Sequence, residues 1–166
     1  MPYTDLFTWD GENLIPVAPR RADRHLVIGE KYLIETTEFR SDPTHKHQFA
    51  WLREAWASLP EQYALEPWSQ SPEHLRKYAL IRTGFCNCET FTCASKAEAF
   101  RWASNMRGMD EYAICQAQDT VVHRFTAKSQ SYRAMGKAEF QASKTAILDF
   151  IAGLIGTDAK TLEQAA

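Results

Sequence analysis

The sequence predicts an α+β fold, a small mixed or antiparallel sheet with about four helices in a single domain. Three observations lead there. The 166 residues are one domain's worth of chain. Hydrophobic residues make up 45% and aromatics 12%, enough for an ordered core. Strand-like and helix-like segments are grouped rather than alternating: strand, strand, three helices, hairpin, helix. Grouping of this kind argues against a doubly wound parallel sheet.

Residues 1–11 lack periodicity and are expected to be mobile. Leu14-Ile15-Pro16-Val17 is apolar but contains proline, so it reads as an edge strand. A mostly basic connector runs from Arg20 to Arg24, and Gly29-Glu30 reads as a turn. Lys31 to Thr37 is rich in strand formers.

The first helix opens with Asp42 as N-cap ahead of Pro43. Its spacing predicts a buried stripe of Phe49, Leu52, Trp56 and Leu59, with Trp51 at the border and Pro60 ending the helix. Ser71-Pro72-Glu73 starts the second, with Leu75, Tyr78 and Ala79 inward and Gly84 as the stop. Ser95 and Glu98 form a capping box for the third. Ala99, Phe100 and Ala103 are its expected inner face, with Trp102 and Met106 at the margin and Gly108 after it.

Tyr112–Cys115 and Val121–Phe125 read as a hairpin whose loop, Gln116 to Thr120, is longer than the tightest kind. The last helix has Gly136 as cap, Glu139 three residues on, and Met135 against Phe140 as a staple. Phe140, Ile147, Ile151 and Leu154 form the strongest amphipathic stripe in the chain. That stripe suits either a homodimer or a core, and core use is expected of a domain's best helix. The domain is read as residues 12–156, with a short helix or tail over 157–166.

No basic start leads into an apolar run, and no window reaches ~18 consecutive apolar residues. The expected location is the cytoplasm, where Cys86, Cys88, Cys93 and Cys115 stay reduced. Zinc is usually held by two short-spaced pairs of ligands. Here one unusual pair, Cys86 and Cys88, is followed by Cys93, and Cys115 with His123 would have to complete the set. Small core residues are the expected role for Cys93 and Cys115, with no metal and no cofactor. His45 and His47 point to different sides of their helix and have no nucleophile or carboxylate at a telling spacing. No phosphate loop, dinucleotide fingerprint or nucleophile elbow is present, so no catalytic residue is assigned.

The net charge of −2 excludes a strongly basic nucleic-acid packer but not a basic patch. Between Val121 and Ala146 stand Arg124, Lys128, Arg133, Lys137 and Lys144 against one acid, Glu139. Tyr132, Ser129, Gln130 and Ser131 lie among them. Cations, hydroxyls, an aromatic ring and a helix N-terminus suit a phosphate backbone with an unstacked base. Lys46 and Arg53, seven apart on one helix line, form a second set.

Several stretches resemble a prophage-encoded family of poorly known function. They are Asn13-Leu14-Ile15-Pro16, Gly29-Glu30-Lys31-Tyr32, and His47-Gln48-Phe49-Ala50-Trp51-Leu52. The most specific is Lys128-Ser129-Gln130-Ser131-Tyr132, followed by Met135 and Glu139-Phe140. A weaker resemblance runs to the Orf/NinB recombination mediators of lambdoid phages, dimeric proteins that bind single-stranded DNA. Together the likenesses cover residues 13–59 and 123–152. They imply a non-enzymatic accessory of phage DNA metabolism that binds single-stranded or branched DNA. The site residues on that reading are Arg124, Lys128, Tyr132, Arg133, Lys137, Lys46 and Arg53.

Two rivals follow from the residues. Five Trp and a negative charge suit a protein-interaction module, an inhibitor or adaptor acting on a host or phage protein. The Cys and His groups would serve a metal-dependent nuclease.

Overall fold

The computed structural model describes residues 4–34, 42–109, 112–131 and 134–164, without the side chains of residues 42–46. The chain divides into two units, Met1–Phe39 and Arg40–Ala166.

In the first unit β1 (Phe7–Trp9) pairs antiparallel with β2 (Leu14–Pro16), Thr8 opposite Ile15. The tight turn between them is held by Asp10, whose Oδ1 accepts from the N–H groups of Glu12 and Asn13. Those bonds favour the carboxylate and lower its pKa. Gly11 supplies the positive φ of 108°. Thus part of the stretch expected to lack structure is strand, and Leu14–Pro16 is an edge strand as expected. A short helix, α1 (Pro19–Ala22), follows. Lys31–Ile34 is not strand, because no described strand lies alongside to complete its ladder. Glu35–Thr37 lies outside the described residues.

The second unit carries the α+β architecture. Its first core is helical. It is built from α2 (Asp42–Ala57), α3 (Pro72–Arg82), α5 (Lys137–Ile155) and α6 (Ala159–Gln164). Trp51, Leu52 and Ala55 meet Leu75, Ala79 and Leu80, and Ile147, Ile151 and Leu162 close the cluster. Two 3-10 turns, Glu61–Tyr63 and Pro67–Ser69, carry Trp68 under the bundle, where it stacks on Tyr78 at 4.7 Å and 6°.

The buried face of α2 is rotated from the expected stripe. Trp51 is fully buried, whereas Trp56 is exposed and donates its Nε1–H to Ser69 O. The reason is Gln48, a polar residue that sits fully buried on this face and so disguises it in the sequence. The helix starts at Asp42, the expected cap, whose side chain is not described. On α3 the Ser71 cap is present, its Oγ accepting from His74 N–H, and Gly84 ends the turn at φ 89°. Gly136 and Gly156 bound α5, the latter left-handed at φ 73°.

The second core lies under the sheet. The capping box forms at α4 (Lys96–Met106): Ser95 Oγ accepts from Glu98 N–H, and Glu98 reaches back to Ala94 N–H. Ala99, Ala103 and Met106 pack on Ala113, Cys115 and Val122. Phe100, expected inside, is 64% exposed, because the small residues Ala99 and Ala103 set the contact and leave it on the outer side.

The sheet has the order β3-β5-β4, all antiparallel, with β3 (Cys86–Thr92), β4 (Ala113–Gln118) and β5 (Val121–Ala127). The β4–β5 loop is two residues, Asp119 and Thr120, shorter than expected. Asp119 takes the left-handed conformation (φ 53°) that a short polar side chain tolerates.

Tyr112, at the start of β4, packs edge-on to His74 and Tyr78. Burial pushes its phenol up to about 12. A raised tyrosine pKa means the folded state keeps a proton that the unfolded chain releases near pH 10. Stability is therefore expected to hold below pH 10 and fall as pH climbs from 10 toward 12. In urea melts across that range, Tyr112→Phe should flatten the slope; an unchanged slope would contradict it.

Candidate interaction edge

The segment expected to meet DNA is first of all a clasp. Gln130 is 4% exposed and bonds three elements. Its Oε1 accepts from Gln48 Nε2 of α2 (2.8 Å) and Arg76 Nη1 of α3 (2.7 Å). Its Nε2 donates to Ser143 Oγ of α5 (2.7 Å). Met135 and Phe140 are buried beside it. Arg76 is held in turn by both carboxylate oxygens of Glu73. The residues carrying the family resemblance thus bind the 128–136 loop onto three helices.

The cations around this loop are largely compensated. Arg124 is cross-strand from Glu89 and bonds it. Lys128 pairs with Glu139 at 2.9 Å, and Lys144, 8% exposed at its side chain, pairs with Glu163 at 3.0 Å. The hydrogen bond from Lys144 holds the Glu163 carboxyl below its usual range. Lys137 and Arg53 are exposed and have no carboxylate partner among the described residues. Tyr132, Arg133 and the side chain of Lys46 lie outside the described residues. So the described members sit on β5, on α2 and on both sides of the loop, and the structure does not gather them into one free cationic face. An isolated surface ion pair is worth only about 0–1 kcal/mol, so Lys128 can be released, but its carboxylate remains beside any phosphate.

The thiols are also separated. Directly opposed residues share a face of a sheet, and neighbours along a strand alternate. Cys115 opposes Arg124, while His123 opposes Gln116. Cys115 therefore lies on the α4 side, and His123 on the other with Cys86 and Cys88. No group of three His, Cys, Asp or Glu among the described residues is placed to hold a metal ion. Burial pushes the thiols of Cys86 and Cys115 up, away from the thiolate a nucleophile needs.

What the sequence did not reveal is β3 itself, which reads as a Cys-Asn-Cys loop. It pairs with β5 without a bulge over seven residues, Cys86 opposite Ala127 through Thr92 opposite Val121. From Asn87 to Thr92 every residue is exposed, on both faces. Thr90, Phe91 and Thr92 are strand formers and were the available signal.

Its backbone polarity can be read from the ladder ends. Cys93 N–H donates to Thr120 O (2.7 Å) and Lys128 N–H to Phe85 O (3.0 Å). Odd-numbered residues therefore turn their polar groups toward β5. Alternation aims the N–H and C=O of Cys86, Cys88, Thr90 and Thr92 at the free edge. The same alternation aims Cys115 outward on β4, but there Arg107 covers the edge, its Nη2 donating to Cys115 O at 3.1 Å. Among the described residues of the second unit, the β3 edge has no such cover. It has no proline, no lysine and no bulge, the usual means of blunting an edge. Its one charge, Glu89, is taken by Arg124.

Compared with protein-family models, curated proteins and solved structures, the chain matches none of them. Among the described residues no helix is long and apolar enough to cross a membrane.

Proposed function

We propose that this chain is a protein-interaction module, an adaptor that takes an extended segment of another polypeptide as a fourth strand beside β3. The observation that carries the reading is the seven-residue edge whose outward backbone groups are unpaired and uncovered among the described residues of the second unit. Strand addition takes its affinity from such main-chain groups and its selectivity from alternate side chains. Phe91, 36% exposed on the α4 face, and Cys88 on the other are the nearest anchors.

A second reading, single-stranded DNA binding, is favoured by one feature of the first unit. Arg20, Arg21 and Arg24 line an open concavity of about 580 Å³ with Ala18 and Pro19. Arg21 is 3.6 Å from Asp5, which leaves two guanidinium groups for phosphate. Phosphate neutralisation supplies nearly all sequence-independent affinity. Two such contacts predict weak binding with a salt slope of about −1.4.

One comparison tests both. The wild-type chain and Thr90→Pro are used to capture partners from a nuclease-treated bacterial lysate, and the wild type is titrated with a labelled oligonucleotide at low salt. Proline removes an outward N–H and the Thr90 Oγ1–His123 Nδ1 hydrogen bond (3.2 Å), and leaves the backbone bonds to β5 untouched. The proposal expects a nuclease-resistant partner that Thr90→Pro loses at least tenfold. Equal capture by the two chains would contradict it. Binding with a salt slope of about −1.4, abolished by Arg20→Glu with Arg24→Glu, would favour DNA instead.

A further inference from the structure

We infer that the β3 edge is occupied by the β3 edge of a second copy of this chain. The inference rests on the strand-addition reading and names the occupant. A peptide laid on β3 satisfies Cys86, Cys88, Thr90 and Thr92 but presents its own outer edge to solvent. A second copy related by a two-fold axis satisfies both open edges at once. The product is a six-stranded antiparallel sheet, ordered β4-β5-β3-β3-β5-β4. Its two outer edges are the β4 edges, each with Arg107 on the Cys115 carbonyl. The β3 edge is thereby covered over its paired residues, and a partner's extended segment adds there by displacing the second copy.

Side chains select the register. Hydrogen-bonded pairing requires even-numbered residues to face even-numbered residues. An axis at Glu89 sets two carboxylates directly opposite, which destabilises a strand pair. An axis at Cys88 sets Asn87 against Glu89 of the second copy, an amide donor beside a carboxylate, and repeats that pair by symmetry. It also sets Cys86 against Thr90 in two hydrogen-bonded pairs, with Cys88 against Cys88 on the axis; Thr92, which would face Gly84 outside the strand, stays unpaired. Each Glu89 keeps its own Arg124, so no bare charge is buried.

The test uses the whole chain. Under reducing conditions, sedimentation equilibrium at tens of micromolar should give twice the 19.0 kDa of one chain. Thr90→Pro should give the single mass with an unchanged circular dichroism spectrum. A second measurement does not depend on that variant folding. Cα atoms of an opposed hydrogen-bonded pair are about 5.5 Å apart, within disulfide reach. Diamide should therefore take two hydrogens from two Cys88 thiols and link the dimer, and Cys88→Ser should remain dimeric but unlinked. A wild-type chain at the single mass, or a Thr90→Pro dimer, overturns the inference. A Thr90→Pro-sensitive dimer that does not link through Cys88 overturns the register. A synthetic peptide of residues 86–92 separates the two levels. If the chain is monomeric yet the peptide shifts the amide resonances of Cys88 and Thr90, the second copy is wrong and the edge reading stands. If neither occurs, both fall.

Discussion

Gln130→Leu is expected to lower unfolding stability by about 3–5 kcal/mol. Leucine is close in volume, so packing is not the main loss. What disappears is the acceptor shared by Gln48 Nε2 and Arg76 Nη1 and the donor to Ser143 Oγ. Gln48, Arg76 and Ser143 are all buried, so water cannot take over. Each buried group left unpaired costs about 1–3 kcal/mol, more when charged. Gln130→Glu keeps the acceptor beside Arg76 and gives up the donor, so it should cost less. Urea melts of the three chains decide the matter. A loss under about 1 kcal/mol for Gln130→Leu would mean that the clasp does not hold the loop. The segment around Lys128 would then be free to act as a surface site.

Trp51→Ala should cost a similar amount, about 3–5 kcal/mol, by leaving a cavity among α2, α3 and α5. Trp51 is fully buried in the helical core. Its Nε1, however, has no hydrogen-bond partner among the described residues. Trp51→Phe therefore loses volume without losing a bond, and should cost well under half as much as alanine. Equal losses for the two would show that the indole N–H is bonded in solution and that the α2 face is packed differently.

These two residues also mark what was legible in the sequence. Elements with a local signature were: the Ser71 and Ser95 caps, Gly84, Gly136, and the long α5 stripe all lie where spacing places them. The inner face of α2 was not. A buried Gln48 counts as polar in any periodicity, and only its long-range partner Gln130 makes that burial tolerable. The edge strand β3 was hidden for the opposite reason. It buries neither face, so it has no alternation to read, and its membership in the sheet depends on β5 more than thirty residues on.

The cationic segment was visible as composition, but composition does not carry pairing. Glu89 is 35 residues from Arg124, and Glu163 is 19 from Lys144. Only the fold brings these acids to those bases. The Lys128–Phe140 stretch carries the clasp. Gln130, Met135 and Phe140 are buried, and Lys128 is tied to Glu139.

Amide hydrogen exchange along β3 reads the open edge residue by residue. In dilute solution, where copies are apart, Asn87, Glu89 and Phe91 should exchange slowly, and Cys86, Cys88, Thr90 and Thr92 fast. Adding a strand-forming peptide should slow the second set, concentrating the chain should slow Cys86, Cys88 and Thr90, and both should leave the first set unchanged. Protection of both sets at every concentration, or of neither set at any, would contradict an open and receptive edge.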